Sequence, residues 1–297
     1  MKLSLSFLVV FAILSSSLFF CCKNSSNDDE TILKGGTTII VDETLKPIIE
    51  DQIAVFESEY NAKIVLNSKS EKEASLALVE DTTRIIVLAR ELNEAELSYF
   101  KKEKIIPKVT KIGTDAIAFI SNKMDNDTLI SLKDVISFMK GNSRNKIKGL
   151  VFDNPNSSTV RYMNDLAGLK NSPDNGIYSF KTNEEVVKFV SENEGMIGVV
   201  GLNWLYQPTA DIKKYLSSIN VLSVQGIGEK GFFAPTQNNI AEGTYPLARD
   251  LFIINCQGFN GLGMGFASFV AGDIGQRIIL KSGLLPIRVP GRKLLFK

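Results

Sequence analysis

The sequence has 297 residues, with 34 Lys and Arg against 33 Asp and Glu and no histidine. A net charge of +1 without a basic stripe gives no support to nucleic-acid binding, and the lack of histidine removes the most common general base and metal ligand. The cysteines at 21, 22 and 256 form neither a disulfide framework nor a cysteine–histidine zinc site. We therefore expect no metal and no cofactor. The length is sufficient for two domains.

The N-terminus, residues 1–22, predicts a lipoprotein signal peptide. Lys2 precedes an apolar run at 3–20, and Cys21 and Cys22 follow. A basic start and an apolar core are typical of secretory signals, and a terminal cysteine indicates lipidation. Cys22 is the better acceptor because Cys21 is then the small residue before the cut, although Cys21 remains the alternative. A transmembrane helix competes with this interpretation, but no basic stop-transfer cluster follows. We predict a lipid-anchored protein of the bacterial cell envelope, in the periplasm or at the cell surface.

Strand and helix patterns alternate after a polar tether at 23–35. The predicted strands are 37–41, 62–66, 84–89, 116–120, 150–152, 196–200 and 251–256. The predicted helices are 45–60, 72–80, one capped by Asn93, 131–140, 157–166, 182–192 and a last long helix within 265–282. This order predicts an α/β fold with mostly parallel sheets.

Three strand-to-helix junctions are rich in hydroxyl and charged side chains. They lie at 41–47, 67–73 and 152–161. Ligands of α/β sheets collect at the carboxyl ends of strands, and helix N-termini favour anions there. The same residue types also cap helices, so each junction alone is a weak signal. Together they favour a shared cleft for a small anion.

Several segments match a known family in the family's own order. They are 41–47, 88–92, 112–118, 132–141, 156–161, GMIGVVG at 195–201, YPLAR at 245–249, and 266–270 followed by GLLP at 283–286. Through most of its length the chain resembles the phosphate-binding, PstS-like proteins of ABC transporters, in the periplasmic binding protein superfamily. The resemblance implies a type II two-lobed fold with a ligand cleft between the lobes. It places lobe I at 36–114 plus 228–297 and lobe II at 115–227.

The resemblance also implies a set of ligand-binding positions. Those that match the family's anion-binding residues are Thr44, Ser70, Ser157, Ser158 and Thr159. We add the charged neighbours Asp42, Glu43, Arg90, Asp153 and Arg161. The expected partners are phosphate or a similar small oxyanion, an ABC permease and the membrane, the last through the lipid anchor.

The chain departs from the family pattern at the site itself. Asp42 and Glu43 replace two small residues, Ser158 replaces a glycine, and Asp153 stands where some members have an arginine. Buried carboxylates facing a dianion are unfavourable unless one group is protonated. The arginines at 90, 161 and 249 either offset this charge or pair with local carboxylates.

Two function classes remain open at this point. The first is a lipid-anchored solute-binding protein that delivers an oxyanion to an importer. The second is a surface lipoprotein of the same fold without a transport role, which binds another ligand or a protein partner. An enzyme is the least favoured class, because no histidine is present to activate a serine, and no spacing indicates a serine–lysine pair.

Overall fold

The computed structural model describes residues 30–80, 84–142 and 147–289. The predicted lipidation site at Cys22 and the predicted signal peptide lie outside these ranges. The strands are β1 (Gly35–Asp42), β2 (Ala62–Lys69), β3 (Ile85–Leu88), β4 (Lys108–Asn122), β5 (Leu129–Ser131), β6 (Gly149–Phe152), β7 (Ile177–Ser179), β8 (Met196–Gly201), β9 (Ile219–Val221), β10 (Ser223–Gln225), β11 (Phe232–Phe233), β12 (Ala248–Asn255) and β13 (Leu285–Pro286).

Helices alternate with these strands, as the sequence pattern predicts. They are α1 (Lys46–Glu59), α2 (Glu71–Glu80), α3 (Glu94–Lys102), α4 (Leu132–Met139), α5 (Ser158–Ala167), α6 (Asn183–Glu192), α7 (Leu202–Tyr206), α8 (Ala210–Lys213), α9 (Gln237–Ala241), α10 (Leu262–Ala271) and α11 (Asp273–Lys281), with 3-10 turns at Glu43–Leu45 and Leu216–Ser218. The predicted long helix at 265–282 is wrong, because extended backbone at Gly272 (φ −81°, ψ 176°) separates α10 from α11.

The large sheet is mixed. Its strand order is β2-β1-β3-β12-β4-β8-β6-β7, and β13 and β9 also pair with β4. The prediction of mostly parallel sheets holds for the outer strands, where β1 pairs with β2 and β3, and β6 with β7 and β8. It is wrong for the centre, since β12 pairs antiparallel with β3 and β4, and β4 with β8.

The hydrophobic core has two regions along this sheet, one in each lobe of a two-lobed α/β fold. In lobe I, β1, β3 and β12 pack against α1 and α10 on one face and α2 and α3 on the other. In lobe II, the second half of β4 packs with β6, β8 and helices α4 to α6. The lobe boundaries at 114/115 and 227/228 remain predictions.

The long strand β4 joins the lobes, because its first half pairs with β12 and its second half with β8 and β9. Strands β1, β6 and β8 end at Asp42, Phe152 and Gly201. The segments that follow them meet at the boundary between the lobes, since Thr44 contacts both Asp153 and Asn203. In the described part of the chain, no helix has the length and hydrophobicity needed to cross a membrane.

Candidate functional site

The loop between β6 and α5 builds one side of the site. Strand β6 is fully buried, and Asp153 follows it directly. Ser157 is the N-cap of α5, and its hydroxyl accepts a hydrogen bond from the Val160 backbone N–H at 3.3 Å. Ser158 and Thr159 lie in the first turn and are buried. The predicted anion loop is therefore a helix N-terminus that lies inside the protein.

The Asp153 carboxyl group accepts hydrogen bonds from both lobes. Its Oδ1 accepts from Ser157 Oγ at 2.5 Å and from Thr159 Oγ1 at 2.7 Å. Its Oδ2 accepts from Asn183 Nδ2 at 3.2 Å and from Thr44 Oγ1 at 3.5 Å. Four donors around one carboxyl group make a surrounding that suits a small oxyanion.

Thr44 is the contribution of lobe I to this arrangement. Its Oγ1 lies 3.2 Å from Asp42 Oδ1 and 3.3 Å from Ser158 Oγ. Its backbone carbonyl accepts from Asn203 Nδ2 at 2.9 Å and from Trp204 Nε1 at 3.0 Å. We call Asp42, Thr44, Asp153, Ser157, Ser158 and Thr159 the hydroxyl–carboxyl cluster; each of its members is at most 1% exposed.

Arg249 brings positive charge to the cluster from β12. Its Nη1 donates to Ser158 Oγ at 2.8 Å, and its Nη2 and Nε donate to Asp115 Oδ2 at 2.9 and 3.2 Å. The pair is buried, with 2% and 0% of the two side chains exposed. Arg249 thus combines the two predicted roles, since it pairs with a local carboxylate and also contacts an anion-loop serine.

Burial controls the ionisation of the acidic residues. It raises the pKa of Asp42 to about 7, although Arg249 opposes the shift. It raises the pKa of Glu43 to about 8, with the charge of Asp153 acting in the same direction. It also raises the pKa of Asp153, against hydrogen bonds from Ser157 and Thr159. The carboxyl groups therefore hold protons more tightly than they would in water.

Glu43 lies at the edge of the cluster, where Asn183 Nδ2 donates to its Oε2 at 2.8 Å. The same amide donates to Asp153, so Asn183 joins acidic groups of the two lobes. Ser70 lies apart, with its hydroxyl bonded to Glu73 at 2.6 Å. Glu43 and Ser70 line a cavity of about 330 Å³ next to the cluster.

The structure places Arg90 and Arg161 outside the cluster. Arg90 donates to Glu71 at 3.1 Å and to Glu96 at 2.8 Å, and Arg161 donates to Glu71 at 2.5 Å and to Asp165 at 3.0 Å. Both arginines therefore pair with carboxylates outside the cluster, and the Arg161–Glu71 pair joins the two lobes. They line a cavity of about 730 Å³ between the lobes, and buried Glu71 links them across it.

Several residues of the site were missed by the sequence analysis. They are Asp115, Asn183, Asn203 and Trp204. The one signal for Asn203 and Trp204 was their position just after the predicted strand 196–200. No local pattern marked Asn183 or Asp115, because their partners are far away in sequence. Among the described residues, His, Cys, Asp and Glu side chains form no group suited to a metal ion.

Comparisons with known proteins agree with this architecture. A family model described as a PBP superfamily domain matches residues 26–273. A Clostridium perfringens protein, assigned as a phosphate ABC transporter substrate-binding protein and solved with bound phosphate, is similar with a TM-score of 0.69 at 18% identity; the match covers 86% of this chain and 100% of that one.

Two further solved structures show the same fold. An ABC-type phosphate transport receptor of Vibrio cholerae has a TM-score of 0.63 at 17% identity, covering 85% of this chain and 100% of that one. PstS of Borrelia burgdorferi has a TM-score of 0.52 at 20% identity, covering 86% and 100%. No curated protein matches the sequence.

Proposed function

Because this chain belongs to the PBP superfamily, we propose that it is an extracytoplasmic solute-binding protein that captures a small oxyanion for an ABC importer. Phosphate is the first candidate, since solved structures of the same fold are phosphate-binding proteins. The observation that carries the proposal is the set of four donors around the Asp153 carboxyl group. The donors lie at a helix N-terminus between two lobes. Groups that donate to a carboxylate can donate in the same way to the oxygens of a tetrahedral oxyanion.

Arg249 supports an anionic ligand. Its guanidinium group contacts Ser158, the residue that stands where the family has a glycine. Since Asp153 occupies a place where some members have an arginine, the positive charge of this site comes from β12 instead. The predicted ligand contacts are Thr44, Ser157, Ser158 and Thr159, with Asp42, Glu43 and Asp153 as proton-accepting neighbours.

The acidic neighbours select the protonation state of the ligand. A phosphate dianion next to ionised Asp42 and Asp153 is disfavoured by charge repulsion. A proton on the ligand or on a carboxyl group turns this repulsion into a hydrogen bond. The proposed ligand is therefore dihydrogen phosphate, the monoanion, which predominates at mildly acidic pH.

The location follows from the N-terminal signal. We propose that Cys22 carries a lipid and that the tether at 23–35 lets the binding domain reach a permease at the membrane surface. No part of this transport role needs catalysis by the chain itself.

Calorimetry with phosphate is the direct test. We expect the purified full chain in detergent to bind phosphate more tightly at pH 5.5 than at pH 8. Sulfate, which carries no proton in this range, is the matched control and should bind more weakly. No heat with millimolar phosphate at either pH would overturn phosphate as the ligand.

A surface lipoprotein without a transport role is the second candidate. It is favoured by one observation, namely that the donors around Asp153 already bond to a carboxyl group of the chain itself. Uptake of labelled phosphate by cells with and without the gene separates the two candidates. Equal uptake together with absent phosphate binding would favour the second.

A further inference from the structure

The hydroxyl group of Thr44 lies between two buried carboxyl groups. Its Oγ1 lies within hydrogen-bond distance of Asp42 Oδ1 and of Asp153 Oδ2. A hydroxyl group has a single proton, so it donates to only one of them. If both carboxyl groups were ionised, one would face the lone pairs of the Thr44 oxygen inside the protein, which is unfavourable. A proton on either carboxyl group removes this conflict.

One added proton completes a chain of hydrogen bonds between the lobes. With the proton on Asp153 Oδ2, this group donates to Thr44 Oγ1, and Thr44 donates to Asp42 Oδ1. Asp153 Oδ1 continues to accept from Ser157 and Thr159. With the proton on Asp42, the direction of the chain is reversed. Donors are scarce at the other end as well, since Asp42 Oδ2 has no hydrogen-bond partner among the described residues.

Neighbouring negative charges further favour a proton on Asp42 or Asp153. Glu43 reaches the same amide of Asn183 as Asp153 does, and Glu71 adds a further negative charge near Asp42. Arg249 is the cation that faces this pair.

Asp115 limits what Arg249 contributes. Arg249 gives two of its hydrogen bonds to this buried carboxylate and a third to Ser158. The positive charge of Arg249 is therefore shared between Asp115 and the hydroxyl–carboxyl cluster. Burial raises the pKa of both Asp42 and Asp153 in spite of it.

We propose that Asp42 and Asp153 share one proton across Thr44, so that closure of the two lobes on each other takes up a proton. This inference deepens the proposed function and rests on it, because the closing surface is the solute site. Separation of the lobes exposes both carboxyl groups to water, where their pKa returns to its ordinary value near 4. Closure is therefore strongest at low pH and weakens as pH rises toward about 7, the pKa of Asp42 in the closed site.

Trp204 provides a direct probe of closure. It is the single tryptophan of the sequence, is 3% exposed, and donates to the Thr44 carbonyl across the boundary between the lobes. Its quenching by acrylamide is measured on the full chain in detergent, without phosphate, from pH 4.5 to pH 8.5. We expect the quenching constant to rise about threefold or more over this range, because the shared proton is lost.

Asp153→Asn provides the discriminating variant. Its amide supplies a permanent donor to Thr44 in exchange for the hydrogen bond that Oδ2 accepts from Asn183, so we expect Trp204 to stay protected up to pH 8.5. Asp42→Asn supplies the donor from the other end and should do the same, which keeps the test valid if one variant fails to fold. Asp174→Asn, at an exposed position in the loop before β7, is the matched control and should follow the parent chain.

The outcomes separate this inference from the proposed function. A quenching constant of the parent chain that does not change with pH would overturn proton-linked closure. So would a pH dependence that persists unchanged in both Asn variants. If quenching changes with pH as expected but phosphate does not bind, proton-linked closure stands and phosphate as the ligand fails.

Discussion

At the scale of single residues, the hydroxyl groups of the α5 N-terminus have a double role. Ser157 caps the helix and also donates to Asp153, and Thr159 donates to the same oxygen. N-capping explains the presence of Ser157, but it does not explain why Thr159 is buried with its hydroxyl directed at a carboxyl group. The Thr159 hydroxyl is therefore the better test of ligand binding.

We expect Thr159→Ala to weaken phosphate binding by about 1–3 kcal/mol, the range for a hydrogen bond to a charged group. Thr159→Ser retains the hydroxyl and is the control, with affinity close to that of the parent chain. Calorimetry at pH 5.5 measures both. An unchanged affinity of the Ala variant would place Thr159 outside the ligand contacts.

At the scale of secondary structure elements, β4 and β12 hold the two lobes together. Strand β12 pairs antiparallel with the first half of β4, and Asp115 of β4 lies opposite Arg249 of β12. The two side chains form a buried ion pair at the point where β4 passes from one lobe to the other. Burial raises the pKa of Asp115, against the attraction of Arg249. The loss of one partner therefore leaves an unpaired polar group in the core.

Arg249→Met should lower the free energy of unfolding by about 3–5 kcal/mol, because it leaves the Asp115 carboxylate buried and unpaired. The double variant Asp115→Asn with Arg249→Met removes that charge and should recover part of the loss. Urea unfolding followed by circular dichroism measures both. Equal stability of the single variant and the parent chain would contradict this account.

At the scale of the whole molecule, buried carboxyl groups set the dependence of stability on pH. The pKa values of Asp42 and Glu43 are raised to about 7 and about 8 by burial. Such groups bind protons more tightly in the folded chain than in the unfolded one. Their contribution is present in full below pH 4 and is lost as pH rises toward 8. Glu96 acts in the opposite direction, since its bonds to Arg90 outweigh burial and lower its pKa.

We expect the melting temperature to be highest near pH 5 and to fall toward pH 8. For a chain of this size, each kcal/mol lost lowers the melting temperature by about 2–4 °C. Differential scanning calorimetry across pH 4 to 8.5 measures the curve, and Asp153→Asn should flatten it. A melting temperature that rises from pH 5 to pH 8 would contradict the assignment of protons to this site.

The predicted N-terminal signal leads to a prediction about the location of the molecule in the cell. Cells fed a fatty-acid probe should label the parent chain, and Cys22→Ser should abolish the label. Equal labelling of the variant would exclude Cys22 as the acceptor, and Cys21→Ser would then be the variant to compare.

Local patterns were sufficient for much of the fold. The predicted cap at Asn93 is confirmed, because it depends on a contact with Glu96, three positions along the chain. Buried strands such as 150–152 and 196–200 were marked by apolar runs. The extension of β4 to 108–122 was not marked by such a run. The first half of β4, which pairs with β12, alternates polar and apolar residues.

The sequence by itself determined the order of elements, the hydroxyl-rich helix start at 156–161 and the acidic residues beside it. Only the tertiary structure decided which side chains meet. It separated Arg90 and Arg161 from the cluster, where they pair with Glu71, and it brought Arg249 to Ser158. It also joined Thr44 to Asp153 over 109 positions of chain. Helix caps and strand patterns depend on neighbours within one turn or two residues, whereas these contacts depend on the pairing of β4 with strands of both lobes, which local spacing does not encode.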